Sequence, residues 1–274
     1  MKKISQKLVL KLIPKRKKSS NKTDAGSVLI IGGAKGLYGA GVLSALAATR
    51  SGAGYTHLMT DLSNFNFLKY PDFIVHPLKL SELKKMKSFT IAIGPGLGKN
   101  KNKEAYLKYL YQNKIENVLI DADGLNLIAQ LDLHPLPASW ILTPHEGELA
   151  RLLHTTSKNI KEKRLDSLKK AQFKFKCHII LKGAKTLMID DGQKIYLSDE
   201  GTPALAKAGT GDVLLGILAS LKAQKLSSRD AMIAATYIHG WCSRLWAKEG
   251  NNDRSLRPLD LIERLSKFPD GRAQ

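Results

Sequence analysis

Short apolar runs that end in glycines or a carboxylate recur along this chain, and most are followed by a segment with helical spacing. SVLIIGG (Ser27 to Gly33) is β-rich and closes on glycines, the pattern of a buried strand feeding a loop. YGAGVLSALAATRSGAG then has helical periodicity and is crowded with Ala and Gly, which lets a helix lie close on a sheet. YTHLMT, FIVH and FTIAIGPGLG predict further strands, the last again running into a glycine loop. NKEAYLKYLYQN reads as helix, NVLIDADG as strand and turn, LNLIAQL as helix, and SWILTPHEGE as strand and helix start. Alternation of this kind predicts a mainly parallel sheet covered on both faces. CHIILKGAKTLMIDDGQKIYLSD departs from it, because TLMI and KIYL flank Asp190-Asp191-Gly192 and predict a β-hairpin. Helices are predicted for the rest: Gly211 to Ala223, Ser228 to about Ala247, and Leu259 to Leu265.

The 274 residues, 43% hydrophobic and 25% charged, suit an ordinary globular chain and exclude disorder. Forty-four Lys and Arg against 24 Asp and Glu give a net charge of +20, which favours nucleic acid, an anionic membrane or a polyanionic small molecule as partner. Part of the excess lies in MKKISQKLVLKLIPKRKKSSNK, where lysines interrupt every apolar run. We read residues 1–20 as a solvated basic leader and 21–274 as a single domain. The leader has neither the apolar stretch nor the cleavage site of a secretory signal, and no later run is long enough for a membrane span. Cys177 and Cys242 form no CxxC and suit a reduced, cytoplasmic protein with two packed thiols.

Five motifs carry candidate chemistry. GPGLG (Gly94 to Gly98) fits neither a P-loop nor a dinucleotide fingerprint, since Lys99 and Asn100 follow at the wrong places. It is a tight turn or a ligand loop at a strand end. In DADGLN, Asp123 could cap a helix beginning at Gly124, which leaves Asp121 and Asn126 unexplained. In TPHEGE, Thr143 as N-cap, Pro144 in the first turn and Glu146 three residues on make a capping box that leaves out His145. His145, Glu146 and Glu148 lack the spacing of a metal-binding helix. KGAKT (Lys182 to Thr186) is a solvated turn or a nucleotide contact.

Gly209-Thr210-Gly211-Asp212 is the most informative stretch, because it opens an apolar-periodic helix (Val213, Leu214, Ile217, Leu218, Leu221) with small residues and one acid. Backbone N–H groups of Gly209, Thr210 and Gly211 would hold the oxygens of a transferring phosphoryl group. Asp212 would orient an attacking hydroxyl and take its proton. The helix N-terminus is expected to lower its proton affinity.

Taken in order, IGGAKGLYGAGVLSALAATRSGAG, IGPGLG, DADGLN, TPHEGE, KGAKT and TPALAKAGTGDVLLG resemble the ADP- or ATP-dependent NAD(P)H-hydrate dehydratases of the ribokinase-like superfamily, from about Asn21 to Leu265. The resemblance implies a three-layer α/β/α ribokinase-like fold around a mainly parallel sheet. It implies a repair reaction in which ADP or ATP, with Mg²⁺, phosphorylates the ring hydroxyl of hydrated NADH or NADPH and phosphate then leaves. It implies that Ala40, Gly96, Gly98 and His145 contact the hydrate beside Asp123 and Asn126. Lys182, Gly183, Ala184, Lys185, Thr186 and Gly211 would hold the nucleotide, and Asp212 would be the base. No dedicated metal site is expected, so Mg²⁺ would arrive with the nucleotide. We expect a homo-oligomer that acts on the S form alone, with a separate epimerase protein in the same pathway, and neither nucleic acid nor membrane as partner. Gly124 and Gly41 stand where the family usually has Ala. Two other readings remain: a small-alcohol kinase of the same superfamily, and a basic nucleic-acid-binding protein, which the absence of any standard module disfavours.

Overall fold

The computed structural model describes residues 1–16, 19–61, 71–98 and 101–269. Its strands are β1 Lys2–Lys3, β2 Ser27–Ile31, β3 Tyr55–Thr60, β4 Ile74–Pro77, β5 Thr90–Ile93, β6 Val118–Ile120, β7 Ile141–Leu142, β8 His178–Leu181, β9 Thr186–Ile189 and β10 Ile195–Ser198. They form one sheet in the order β1-β10-β9-β8-β7-β6-β5-β2-β3-β4. Every pairing is parallel except the two that β9 makes, with β8 and β10. The antiparallel strand belongs to the hairpin expected around Asp190-Asp191-Gly192.

Alternation along the strands sends side chains to two cores. Val28, Ile30, Ala92, Leu119 and Ile180 face one side. Leu29, Ile31, Ile93, Ile120 and Ile179 face the other. The first side is covered by α1 Gln6–Leu12, α2 Tyr38–Arg50, α9 Thr210–Ala223, α10 Ser228–Lys248 and α11 Pro258–Arg264. The second is covered by α3 Leu80–Lys85, α4 Glu104–Gln112, α5 Ala122–Leu131, α6 Glu146–Leu152, α7 Ser157–Glu162 and α8 Arg164–Phe175. Helices on both faces of a largely parallel sheet make the three-layer α/β/α architecture expected from the strand–helix alternation.

The small residues of α2 do more than bring it onto the sheet, because they also bring it against α9. A methyl group on Gly216 of α9 would meet Ser44 O at 2.2 Å and Ala47 Cβ at 2.7 Å. Ser44 Oγ donates to Asp212 O at 3.0 Å, which fastens the first turn of α9 to α2. Gly209, the N-cap of α9, has φ 89°, and a side chain there would strike Pro258 and Leu43.

The basic N-terminal segment differs from the solvated leader expected. β1 pairs with β10, α1 packs on α10, and Ile4 and Val9 are buried in the core at 4% and 0% exposure. The lysines that break the apolar runs lie on the outer face of a short amphipathic helix, whose Ser5 accepts from Leu8 N as a cap. Lys17 and Lys18 of the basic run lie outside the described residues. Cys177 and Cys242 are buried and unbonded, and burial pushes both thiols up, Cys242 to about 12. Among the described residues, no helix is long and apolar enough to cross a membrane.

If the N-terminal segment is part of the core, Val9→Ala should cost about 2 kcal/mol, from two buried methyl groups and the cavity they leave. Lys7→Ala on the exposed face of the same helix should stay within about 0.5 kcal/mol. Chemical denaturation of both variants checks this, and equal stabilities would mean that α1 is not packed in solution.

Candidate active site

Five consecutive strands of the sheet deliver their carboxyl ends to one place. β2 ends at Gly32-Gly33, β5 at the Gly94 to Gly98 loop, β6 at Asp121, β7 at Thr143-Pro144-His145 and β8 at Lys182. β2 leads to β3 on one side and is flanked by β5 on the other, so the connections reverse direction beside it, where open parallel sheets place their ligands.

Asp121 and Lys182 meet across the end of β7. Lys182 Nζ is 2.6 Å from Asp121 Oδ1 and 3.6 Å from Glu148 Oε2. The Asp121 side chain is 3% exposed and that of Lys182 19%. Ala122, directly after Asp121, takes a left-handed φ of 47°, a conformation costly for a residue with a Cβ. α5 therefore starts two residues earlier than expected, and Asp123 does not cap it. Instead Asp123 Oδ2 accepts from Gly98 N at 2.8 Å, and Asn126 is held between Asp123 and Arg151 Nε at 3.4 and 2.7 Å. Gly96 adjoins Ala40, whose Cβ would lie 3.2 Å from a methyl group at that glycine. Ala40, Gly96, Gly98, Asp123 and Asn126 are thus brought together. Lys99 and Asn100 lie outside the described residues.

The capping box of α6 sits two residues later than expected. His145 is the N-cap, its Nδ1 accepting from Gly147 N at 3.0 Å and from Glu148 N at 3.4 Å, while Glu148 Oε2 accepts from His145 N at 2.8 Å. Thr143 remains in the sheet, donating to Ile120 O at 3.3 Å. His145 keeps an exposed ring edge, 52% of its side chain, beside the cleft. Through Glu148 it connects to Lys182.

The Lys182 to Thr186 turn is organised by Arg164, a residue that nothing in the sequence singled out. Its guanidinium donates to Leu181 O, Lys182 O and Lys185 O at 3.2, 3.4 and 3.0 Å and pairs with Glu146. Thr186 Oγ1 closes the turn by donating to Gly183 O at 3.0 Å. Gly183, Ala184 and Lys185 border a cavity of about 950 Å³ together with Gly147, Lys158 and Lys161.

Opposite stands the first turn of α9. A methyl group on Gly211 would be 3.6 Å from Lys182 Nζ and 3.8 Å from Asp121 Oδ2, so this turn rests directly on the ion pair. The N–H groups of Gly209, Gly211 and Asp212 carry no hydrogen bond among the described residues and are available to an anion. Thr210 corrects the expected set: its N–H reaches Lys207 O at 3.4 Å, and its hydroxyl donates to Leu205 O at 2.8 Å and Lys207 O at 2.9 Å. It shapes the loop, while the Asp212 N–H stands free beside that of Gly211. Below, His239 of α10 donates from Nε2 to Thr210 O at 2.9 Å, and burial pushes it down to about 4, so it is neutral.

Asp212 is half-buried, and its carboxyl is pushed up to about 7. Burial is the largest cause, Asp121 and Glu148 add to it, and Lys182 opposes it. This reverses the expectation from the helix N-terminus: desolvation and two neighbouring carboxylates outweigh the helix dipole. Burial works against the Lys182 ammonium, yet Asp121, Glu148 and Asp212 outweigh it and hold the proton affinity above the usual lysine value. The site can therefore hold a phosphoryl group on free N–H groups and an ammonium, with a carboxylate alongside that titrates near neutral pH.

The NAD(P)H-hydrate dehydratase family (Carb_kinase) matches residues 28–267. The chain belongs to that family. It is 34% identical to the ADP-dependent (S)-NAD(P)H-hydrate dehydratase of Listeria monocytogenes over 98% of this chain and 96% of that one. It spans about half the length of the bifunctional NAD(P)H-hydrate repair enzymes it also matches. A ribokinase-like superfamily protein of Enterococcus faecalis superposes with TM-score 0.89 at 27% identity, covering 98% of this chain and 97% of that one. The ADP/ATP-dependent NAD(P)H-hydrate dehydratase of Bacillus subtilis, co-crystallized with ATP/Mg²⁺, gives 0.85 at 27% identity over 96% of each chain. The dehydratase fold is thus the ribokinase-like one expected, with the N-terminal segment joined to it.

The electrostatics of Asp212 have a consequence for stability. An unfolded aspartate ionises near 3.8 and the folded one near 7, so between these values the native chain keeps a proton that the unfolded chain has lost. Stability must fall as pH rises through that window, by roughly 1.4 kcal/mol per unit, and stay reduced above it. Asp212→Asn removes this term. Its stability relative to the parent should be clearly higher at pH 8 than at pH 4 by urea denaturation; a difference independent of pH would show that Asp212 titrates normally.

Proposed function

We propose that this protein is a lyase that returns the S form of hydrated NADH or NADPH to the reduced nicotinamide, using ADP or ATP to phosphorylate the ring hydroxyl and then eliminating phosphate. The observation that carries the reading is Asp212, a carboxylate near neutral proton affinity in the same turn as unpartnered N–H groups and next to the Lys182 ammonium. In this reading the hydrate lies over Ala40, Gly96, Gly98 and His145, with Asp123 and Asn126 holding the loops beneath it. Lys182 to Thr186 take the adenine nucleotide in the adjoining cavity.

Asp212 accepts the proton of the ring hydroxyl as its oxygen bonds to the phosphorus and the bond to the nucleotide's bridging oxygen breaks. A base near neutral proton affinity suits a hydroxyl attack at physiological pH. The N–H groups of Gly209, Gly211 and Asp212 and the Lys182 ammonium stabilise the phosphoryl oxygens. Phosphate, a far better leaving group than hydroxide, then departs with the carbon–oxygen bonding pair, and loss of a proton from the neighbouring ring carbon restores the double bond.

The nucleotide is taken as its magnesium complex. Among the described residues no three His, Cys, Asp or Glu side chains gather as a ligand set for a metal ion, and Asp121 is engaged by Lys182. In this reading the cation travels with the phosphates and its own water. A cytoplasmic setting follows from this substrate pair, and a separate epimerase would supply the S form from the other epimer.

Hydrating the nicotinamide ring removes its near-ultraviolet absorbance, so the reaction reports itself. Incubation with hydrated NADH, Mg²⁺ and ADP or ATP should restore the band with release of inorganic phosphate, stay flat without nucleotide, and stop on chelation. Asp212→Asn should lower turnover by about 10²–10⁴-fold while still binding nucleotide. Absent recovery from a mixed hydrate preparation, with pyridoxal or a hydroxymethylpyrimidine phosphorylated instead, would replace this reading by the kinase one.

A further inference from the structure

Buried ion pairs add little net stability, because desolvating both partners consumes most of their attraction. The pair at 2.6 Å between Asp121 and Lys182 is therefore poorly explained as a fastening for the fold. Its position suggests a different role. It spans the ends of β6 and β8 over the end of β7, where Lys182 N also donates to Pro144 O at 2.8 Å. It lies against Gly211, where an added methyl group would come 3.6 Å from Lys182 Nζ and 3.8 Å from Asp121 Oδ2. The left-handed Ala122 follows Asp121 immediately.

We propose that Asp121 is a positioning residue of the phosphoryl-transfer site, holding the Lys182 ammonium under the first turn of α9, between Asp212 and Glu148. This rests on the reading of the site as a phosphoryl-transfer site. A lysine side chain is a flexible four-carbon arm carrying a point charge, and without a fixed partner its ammonium would be spread over several positions. Asp121 fixes one of its oxygens on Lys182, with the other oxygen turned toward Gly211. The ammonium then lies beneath the N–H groups that receive the phosphoryl oxygens, on the side facing Asp212. The charged and titratable groups that face Asp212 are Asp121 from the end of β6, Lys182 from the end of β8, Glu148 from α6 and, below the turn, the neutral His239 from α10. Asp121 raises the proton affinity of both neighbours, whereas Lys182 restrains Asp212 from holding its proton too firmly.

Two measurements test this, one of them independent of the reaction. The first is titration of the Asp212 carboxyl by ¹³C NMR in the nucleotide-free protein. Asp121→Asn removes a negative charge and releases the ammonium toward Asp212, so the midpoint should fall by about one unit or more. Lys182→Met should move it the opposite way, and Asp121→Glu, which keeps the charge, should leave it near the parent value. The second is turnover in a double-mutant cycle. Asp121→Asn and Lys182→Met should each lose roughly 10²-fold, and the double variant should be no worse than Lys182→Met alone, because Asp121 acts through Lys182. A folded Asp121→Asn protein with an unmoved midpoint, or losses that multiply in the double variant, would overturn the proposal. If Asp121→Asn does not fold, Asp121→Glu decides: an unchanged midpoint with turnover lost as the longer arm displaces the ammonium supports it, and parent-like turnover opposes it. Absence of dehydration in the parent protein itself would remove the assigned reaction and leave the titration series to judge the clamp.

Discussion

One ammonium set among three carboxylates organises this protein. A lysine that is largely out of water needs nearby negative charge, and Asp121, Glu148 and Asp212 supply it from the ends of β6, α6 and α9. Those elements come from distant parts of the chain and from both layers of helices. Their convergence requires the strand order to bring β6, β7 and β8 side by side and α9 to enter over them from the opposite face. The same requirement explains the close seat of α9 on α2. Gly216 lets the helices touch, and Ser44 holds the carbonyl of Asp212, so the carboxylate is aimed by packing rather than by its own rotamer alone.

The charges are not balanced. Three acids around one base leave an excess of negative charge in a place shielded from solvent, and a protein selected for stability alone would not keep it. Burial, with that excess added to it, brings Asp212 to a proton affinity near neutrality. Stability and function conflict at this spot, as active sites often require, and the two large apolar cores on either side of the sheet absorb the cost.

Much of this was legible in the sequence because the motifs are local. The strand ends, the glycine loops and the opening of α9 are each specified by neighbours within a few residues, and the alternation of strand and helix gives the layers. Three features were not legible because tertiary contacts decide them. The spacing Thr143 to Glu146 fits a capping box as well as His145 to Glu148 does, and the choice falls to the latter because Thr143 is held in the sheet by Ile120 O. Asp123 looks like a cap until Asp121 adopts an extended backbone and Ala122 a left-handed one, which starts the helix earlier. Arg164 lies 18 residues from Glu146 and carries no motif, so only the folded chain shows that it holds the Lys182 to Lys185 turn. The N-terminal segment misled by composition: its lysines suggested a solvated tail, although Ile4 and Val9 between them are buried in the core.

That segment also changes what the sheet offers to other chains. Without β1 the border of the sheet would be β10, four residues of Ile195–Ser198 with a full row of unpaired backbone donors and acceptors, open to a strand from any neighbour. With β1 in place the border is two residues long, and both are exposed lysines. A strand so short and so charged cannot template another, and like charge repels a second copy brought up to it. The first residues of this chain thus act as a selvage, finishing the woven edge so that the sheet does not extend into aggregates.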